Sequence, residues 1–198
     1  MKQILFSLLV LCFCSCSHVE DAFVISPQEE LGLNVKSTLS QSDYQLVSEQ
    51  LLSVVNTRAT LNDEGSCHEA LLPLIKDGEL IQKQILEQLE DVDESFKDSL
   101  SFLVNLSEED LASLSFVVYN SALLESENVS YTRGCMSVDR LRSCLGALIG
   151  LSVVREIGVG GVIKATTLRR ALFAIGKRYL GYIGIALMVA DFYDCYQG

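Results

Sequence analysis

Proline occurs only twice in this 198-residue chain, at Pro27 and Pro73, and long stretches carry no turn-forming residues at all. Proline removes a backbone donor and blocks helix continuation, so its scarcity leaves the α-helix as the least obstructed fate for the chain. The side-chain pattern agrees. Ile81, Ile85, Leu89, Val92 and Phe96 recur at intervals of three or four, while Glu87, Glu90, Asp91, Asp93 and Glu94 take the opposite side, which is the signature of one amphipathic helix. Apolar residues make up 49% of the chain and mean hydropathy is +0.30, too high for general disorder. These features predict an all-α, helical bundle-like domain.

Helix starts are marked by hydroxyl residues followed three positions later by an acid or amide, a pairing that satisfies orphan N–H groups from both sides. Ser26-Pro27-Gln28-Glu29, Ser42 with Gln45, Ser66-Cys67-His68-Glu69 and Ser107-Glu108-Glu109-Asp110 all have this form. The second opens a segment carrying Tyr44, Leu46, Val47, Leu51, Leu52, Val54 and Val55, and the last opens one carrying Leu111, Leu114, Val117, Val118 and Leu123. Breaks are expected at Asn62-Asp63-Glu64-Gly65 and at a turn over Asp77-Gly78.

Charge and glycine divide the chain. Residues 1–132 carry 6 Lys+Arg against 22 Asp+Glu, a net −16, whereas residues 133–198 carry 9 against 4, a net +5. Ten of the 13 glycines fall from Gly134 onward. The acidic region 26–132 therefore reads as a helical assembly, and 133–198 as a basic, glycine-rich, apolar helical hairpin with arms near 138–156 and 166–192. Gly146, Gly150, Gly181 and Gly184 would let helices approach closely, and Gly146 with Gly150 forms a GxxxG spacing. The longest charge-free runs in the tail, 143–154 and 179–190, fall short of the roughly 18–20 residues a spanning helix needs. The tail is thus expected to be core. Arg169, Arg170, Lys177 and Arg178 form its densest basic cluster, suited either to acidic lipid or sugar phosphates or to neutralising the acidic helices.

Catalytic machinery is not indicated. Nucleophilic chemistry needs a base beside Ser or Cys, and the histidines are His18, near the amino terminus, and His68, inside a capping sequence. Acidic pairs are indistinguishable from surface charge, and no glycine-rich phosphate loop follows a strand. No metal, cofactor or nucleic-acid partner is expected.

The amino terminus supplies an address. Met1-Lys2-Gln3 precedes an apolar run from Ile4 that ends in Phe13-Cys14-Ser15-Cys16, a charged region and a hydrophobic region too short for a permanent span. This segment resembles the lipobox of bacterial lipoprotein precursors, in which a small residue precedes the cysteine that is acylated and becomes residue one. Ser15 and Cys16 fit that pattern; Phe13 departs from the usual leucine. Cys12 and Cys14 follow the bulkier Leu11 and Phe13 and fit it less well. The resemblance implies removal of residues 1–15, fatty acylation of Cys16, a tether over 16–25, and attachment to the bacterial outer membrane or cell surface. Acyl chains on one residue stabilise membrane attachment by about 0.8 kcal/mol per buried methylene.

In an oxidising compartment the remaining cysteines, Cys67, Cys135, Cys144 and Cys195, read as two disulfides. Antiparallel arms would return Cys195 toward Cys135 or Cys144 and leave the other for Cys67. Asp98-Ser99-Leu100 resembles a sugar-acceptor motif of certain gram-negative anaerobes, and Asn105-Leu106-Ser107 and Asn128-Val129-Ser130 are sequons that count only in a eukaryotic secretory route.

The expected function is a non-enzymatic, membrane-anchored envelope or cell-surface lipoprotein that contacts another envelope protein or the membrane surface. The alternative comes from the tail. Val189-Ala190-Asp191-Phe192-Tyr193-Asp194-Cys195 together with Ser143-Cys144-Leu145-Gly146 loosely resembles apolar, disulfide-closed bacteriocin peptides, which implies an antibacterial peptide within 133–198 masked by the acidic half.

Overall fold

The computed structural model describes residues 31–56, 64–90, 92, 100–125, 138–157 and 162–197. Expectations for Cys16, the tether, Ser26-Pro27, Phe96, Cys135 and Asn128 lie outside the described residues, as does most of Asp98-Ser99-Leu100.

Among the described residues are seven α-helices: α1 (Gln41–Asn56), α2 (Glu64–Leu89), α3 (Glu108–Glu125), α4 (Val138–Ile149), α5 (Leu151–Ile157), α6 (Ala165–Arg178) and α7 (Gly181–Gln197), with a 3-10 turn at Ser101–Leu103. A two-residue strand β1 (Gly32–Leu33) pairs antiparallel with β2 (Ile163–Lys164), Gly32 opposite Lys164 and Leu33 opposite Ile163. The fold is all-α, with a minimal sheet as a clasp.

Capping chemistry sets two of the helix starts. Ser107 and Asp110 form the expected box: the Asp110 N–H donates to Ser107 Oγ at 3.2 Å, and the Ser107 N–H donates to Asp110 Oδ2 at 3.3 Å. The box of α1 sits two residues earlier than the sequence suggests, between Ser40 and Asp43, because Asp43 reaches the Ser40 N–H and Ser40 Oγ accepts from the Asp43 N–H. The α2 helix is already under way at Glu64, so Ser66 and Glu69 lie inside its first turns.

The turn expected at Asp77-Gly78 is not a turn. α2 runs through it and through Pro73 without interruption to Leu89. Asp77 is 2% exposed, and its carboxylate accepts bonds from Ser37 Oγ (2.8 Å), the Thr38 N–H (2.6 Å), Thr38 Oγ1 (2.7 Å) and Ser115 Oγ (2.7 Å). Four donors compensate the desolvation of the charge. Gly78 marks the closest approach of α2 and α3, since an added Cβ would meet the Leu111 carbonyl. A residue pair read as helix-breaking is instead the tightest point of the helix crossing.

α3 lies at the centre. Every residue from Leu111 to Ser121 is buried, and the helix packs against α2, α4, α6 and α7. Such a helix shows no polar stripe, because it has neighbours all round. Its polar groups find acceptors within the helix and on its neighbours: Ser113 Oγ bonds Glu109 O at 2.8 Å, and Asn120 Nδ2 bonds Phe116 O at 2.8 Å and Tyr44 Oη of α1 at 2.9 Å.

Residues 31–39 run as an extended strap across α2. Leu33 and Val35 are buried, and the backbone of Asn34 and Lys36, the residues that alternate with them, is held by two glutamine amides one helical turn apart. Gln88 accepts from the Asn34 N–H (2.9 Å) and donates to its C=O (3.0 Å); Gln84 does the same for Lys36 at 3.0 Å each way. Side-chain amides here replace a neighbouring strand.

Each long helix expected in the tail is two helices. Gly150, at φ 94°, ends α4 and begins the bend into α5; Gly181, at φ 68°, begins α7 after a break at Tyr179 and Leu180. Gly146 and Gly184 serve the same bends, since Cβ atoms there would meet Leu151 and the Tyr179 backbone. The GxxxG spacing therefore folds an arm on itself rather than joining two arms.

Candidate functional site

α6 buries Leu168, Ala171, Leu172 and Ile175 and so turns its basic residues outward. The structure separates the four that the sequence groups together. Arg170 is engaged within the tail: Nη1 donates to both carboxylate oxygens of Glu156 at 2.9 and 2.8 Å, and Nη2 to Ser152 Oγ at 3.3 Å. Burial opposes ionisation of Glu156, but the Thr167 hydroxyl and Arg170 outweigh it and hold its carboxyl below the usual range. Arg178 donates to the carbonyls of Ala147 (2.9 Å) and Leu148 (3.2 Å), satisfying acceptors near the carboxyl end of α4. Through these bonds both side chains are engaged within the tail.

Arg169 and Lys177 face outward with aromatic company. The Arg169 guanidinium stands 5.4 Å from the Phe102 ring centroid, and Lys177 Nζ stands 4.2 Å from that of Phe173. Phe173 is 62% exposed and Leu180, just past the helix, 78% exposed. Spacing of four residues places Arg169, Phe173 and Lys177 along one stripe of α6.

Of the cysteines, Cys144 and Cys195 are joined, with Cα atoms 6.0 Å apart, tying α4 to the carboxyl end of α7. Nearby, Arg140 Nε donates to Cys195 O at 2.9 Å. Cys67 is buried near the start of α2, and its expected counterpart Cys135 lies outside the described residues.

A second cluster was invisible in the sequence. His68 from α2, Glu108 from the first position of α3 and Tyr182 from the start of α7 converge where three helix amino termini meet. Glu108 Oε2 lies 3.0 Å from His68 Nε2 and accepts from the Tyr182 hydroxyl at 2.6 Å; the His68 and Tyr182 rings meet edge to face at 4.7 Å. The Tyr182 hydroxyl bond lowers the Glu108 pKa below the ordinary carboxylate value, against some desolvation and with help from His68. Reciprocally, that bond pushes the Tyr182 phenol up to about 12. The phenol is held protonated, so the cluster works as a clasp between the acidic helices and the tail. Glu108 and His68 both fall in capping sequences, but Tyr182 lies 74 residues away and only tertiary packing brings it there.

Among the described residues no single helix is long and apolar enough to cross a membrane; α6 and α7 meet that test only as a pair, bent by 110°. No group of three His, Cys, Asp or Glu side chains among them is placed to hold a metal ion.

No protein-family model matches the chain, and none of the curated proteins or solved structures matches it significantly.

Proposed function

We propose that this protein is an exported, lipid-anchored module of a bacterial envelope or cell surface that acts by contact, holding to another protein or to the membrane surface, with no enzymatic step of its own. The observation that carries the reading is the Cys144–Cys195 disulfide. Disulfides of this kind form and persist in oxidising compartments, which supports export and agrees with the lipobox-like Ser15-Cys16. Contact rather than chemistry is supported by the use made of Glu108, which joins His68 of α2 to Tyr182 of α7 and so ties helices together.

The test is mass spectrometry of the protein from its native membrane. A mature chain beginning at acylated Cys16, with 144 and 195 oxidised, is the expected result; retention of residues 1–15 with reduced thiols overturns the reading. The same spectrum tests the bacteriocin-like alternative, favoured only by the paired length and apolarity of α6 and α7. That alternative requires a released fragment from 133–198, yet α7 packs against α1, α2, α3 and α4 in the intact chain.

A further inference from the structure

We infer that the outer face of α6 is a membrane-contact surface, on which Arg169, Phe173, Lys177 and Leu180 meet anionic lipid headgroups; this rests on the proposed acylation of Cys16 and names the side of the domain that the anchor turns to the bilayer. Three observations converge on it. The buried residues Leu168, Ala171, Leu172 and Ile175 fix the rotation of α6, so the stripe cannot turn inward. Phe173 and Leu180 have the highest exposures of any large apolar residues described, 62% and 78%, and each lies within four residues of a cation. An aromatic ring with a cation over it suits the boundary between headgroups and acyl chains, where the ring enters and the charge stays with phosphate.

The third observation concerns the anchor. The strap enters the described fold at Leu31, whose carbonyl accepts from the N–H of Ala165, the first residue of α6, at 3.0 Å. The fifteen residues from Cys16 to Leu31 reach at most about 50 Å, which is length enough for the face of α6 to lie on the bilayer that holds an acylated Cys16.

Charge decides which surface can face the lipid. The whole chain carries −11, so an anionic membrane repels most of it and a basic face is the one that can approach. Glu109 and Asp110 of α3 line the shallow groove beside Gly176 and Leu180, which places the favourable potential on the Arg169–Lys177 side of the stripe.

The chain contains no tryptophan, so Phe173→Trp gives a single reporter. The acylated protein would be reconstituted on vesicles of phosphatidylcholine alone or mixed with phosphatidylglycerol. The expected result is a blue-shifted emission, quenched by brominated acyl chains, in the mixed vesicles. Neutralising two cations with Arg169→Gln and Lys177→Gln should weaken the contact about 30-fold, taking roughly fivefold per charge near an anionic surface. Leu46→Trp, on the exposed side of α1, should remain water-exposed. Co-flotation with unshifted emission at residue 173 in both mixtures, or equal shifts at 46 and 173, overturns the face. Failure to co-float at all overturns the anchoring and the proposal with it.

Discussion

Replacing Gly78 by alanine tests the helix crossing at the centre of the fold. In an exposed helix the change would stabilise, since glycine costs about 0.8–1.0 kcal/mol relative to alanine. Here the new methyl would stand 2.6 Å from the Leu111 carbonyl carbon and 3.0 Å from its Cα. Carbon contacts rest near 3.5–4.0 Å, so α2 and α3 would have to separate by roughly 1 Å along much of their shared surface. Overpacking of this kind costs about 1–3 kcal/mol, and more where backbone rather than a flexible side chain must give way. Set against the propensity gain, the expected net loss is about 2 kcal/mol, or roughly 4–8 °C in melting temperature for a domain of this size. Gly176→Ala is the matched control, because nothing lies within 4 Å of a Cβ at that helical position. It should gain about 0.5–1 kcal/mol. Urea and thermal unfolding of the oxidised protein would measure both. A Gly78→Ala variant as stable as the parent would refute the close crossing and restore the turn that Asp77-Gly78 suggests in sequence.

Asp77→Ala should cost about 3–5 kcal/mol in urea unfolding, because it strands the Thr38 N–H and three hydroxyls, whereas Asp77→Asn, which keeps one acceptor oxygen while the hydroxyls re-aim, should cost less than half of that. Equal losses would contradict the four-donor assignment. Reducing the Cys144–Cys195 bridge, which closes a separation of 51 residues, should lower stability by about 4 kcal/mol on the loop-entropy estimate, read as a shift in denaturation midpoint with and without reductant. Ultraviolet titration should show one tyrosine ionising near pH 12, and Glu108→Gln should bring it back toward 10. For the partner group, a depressed folded-state pKa means that Glu108 contributes stability above the ordinary carboxylate range and loses it as pH falls through its folded value. Tyr182→Phe should raise the Glu108 pKa in carboxyl-detected NMR and shrink that acid-side loss.

The sequence by itself determined the helical class and much of the core, because both are local: spacing of three and four puts Ile81, Ile85 and Leu89 on one buried face, and the Ser107–Asp110 box closes within a single turn. It left the disulfide open, since antiparallel arms would bring Cys195 to either Cys135 or Cys144, and the fold joins it to Cys144. Tertiary structure alone decided whatever depends on distant segments. Asp77 looks like a turn residue until Ser37, Thr38 and Ser115 arrive from two other elements to solvate it, and Gly78 looks like a breaker until α3 presses against it. The glycines of the tail promise close helix contact by spacing, but whether a glycine bends a chain or admits a neighbour is settled by φ, and φ at Gly150 and Gly181 is positive. The basic cluster of α6 divides for the same reason. Arg170 and Arg178 are drawn to Glu156 and to the end of α4, while Arg169 and Lys177 stand against the rings of Phe102 and Phe173, a distinction that no charge count contains because it depends on which groups folding brings alongside each side chain.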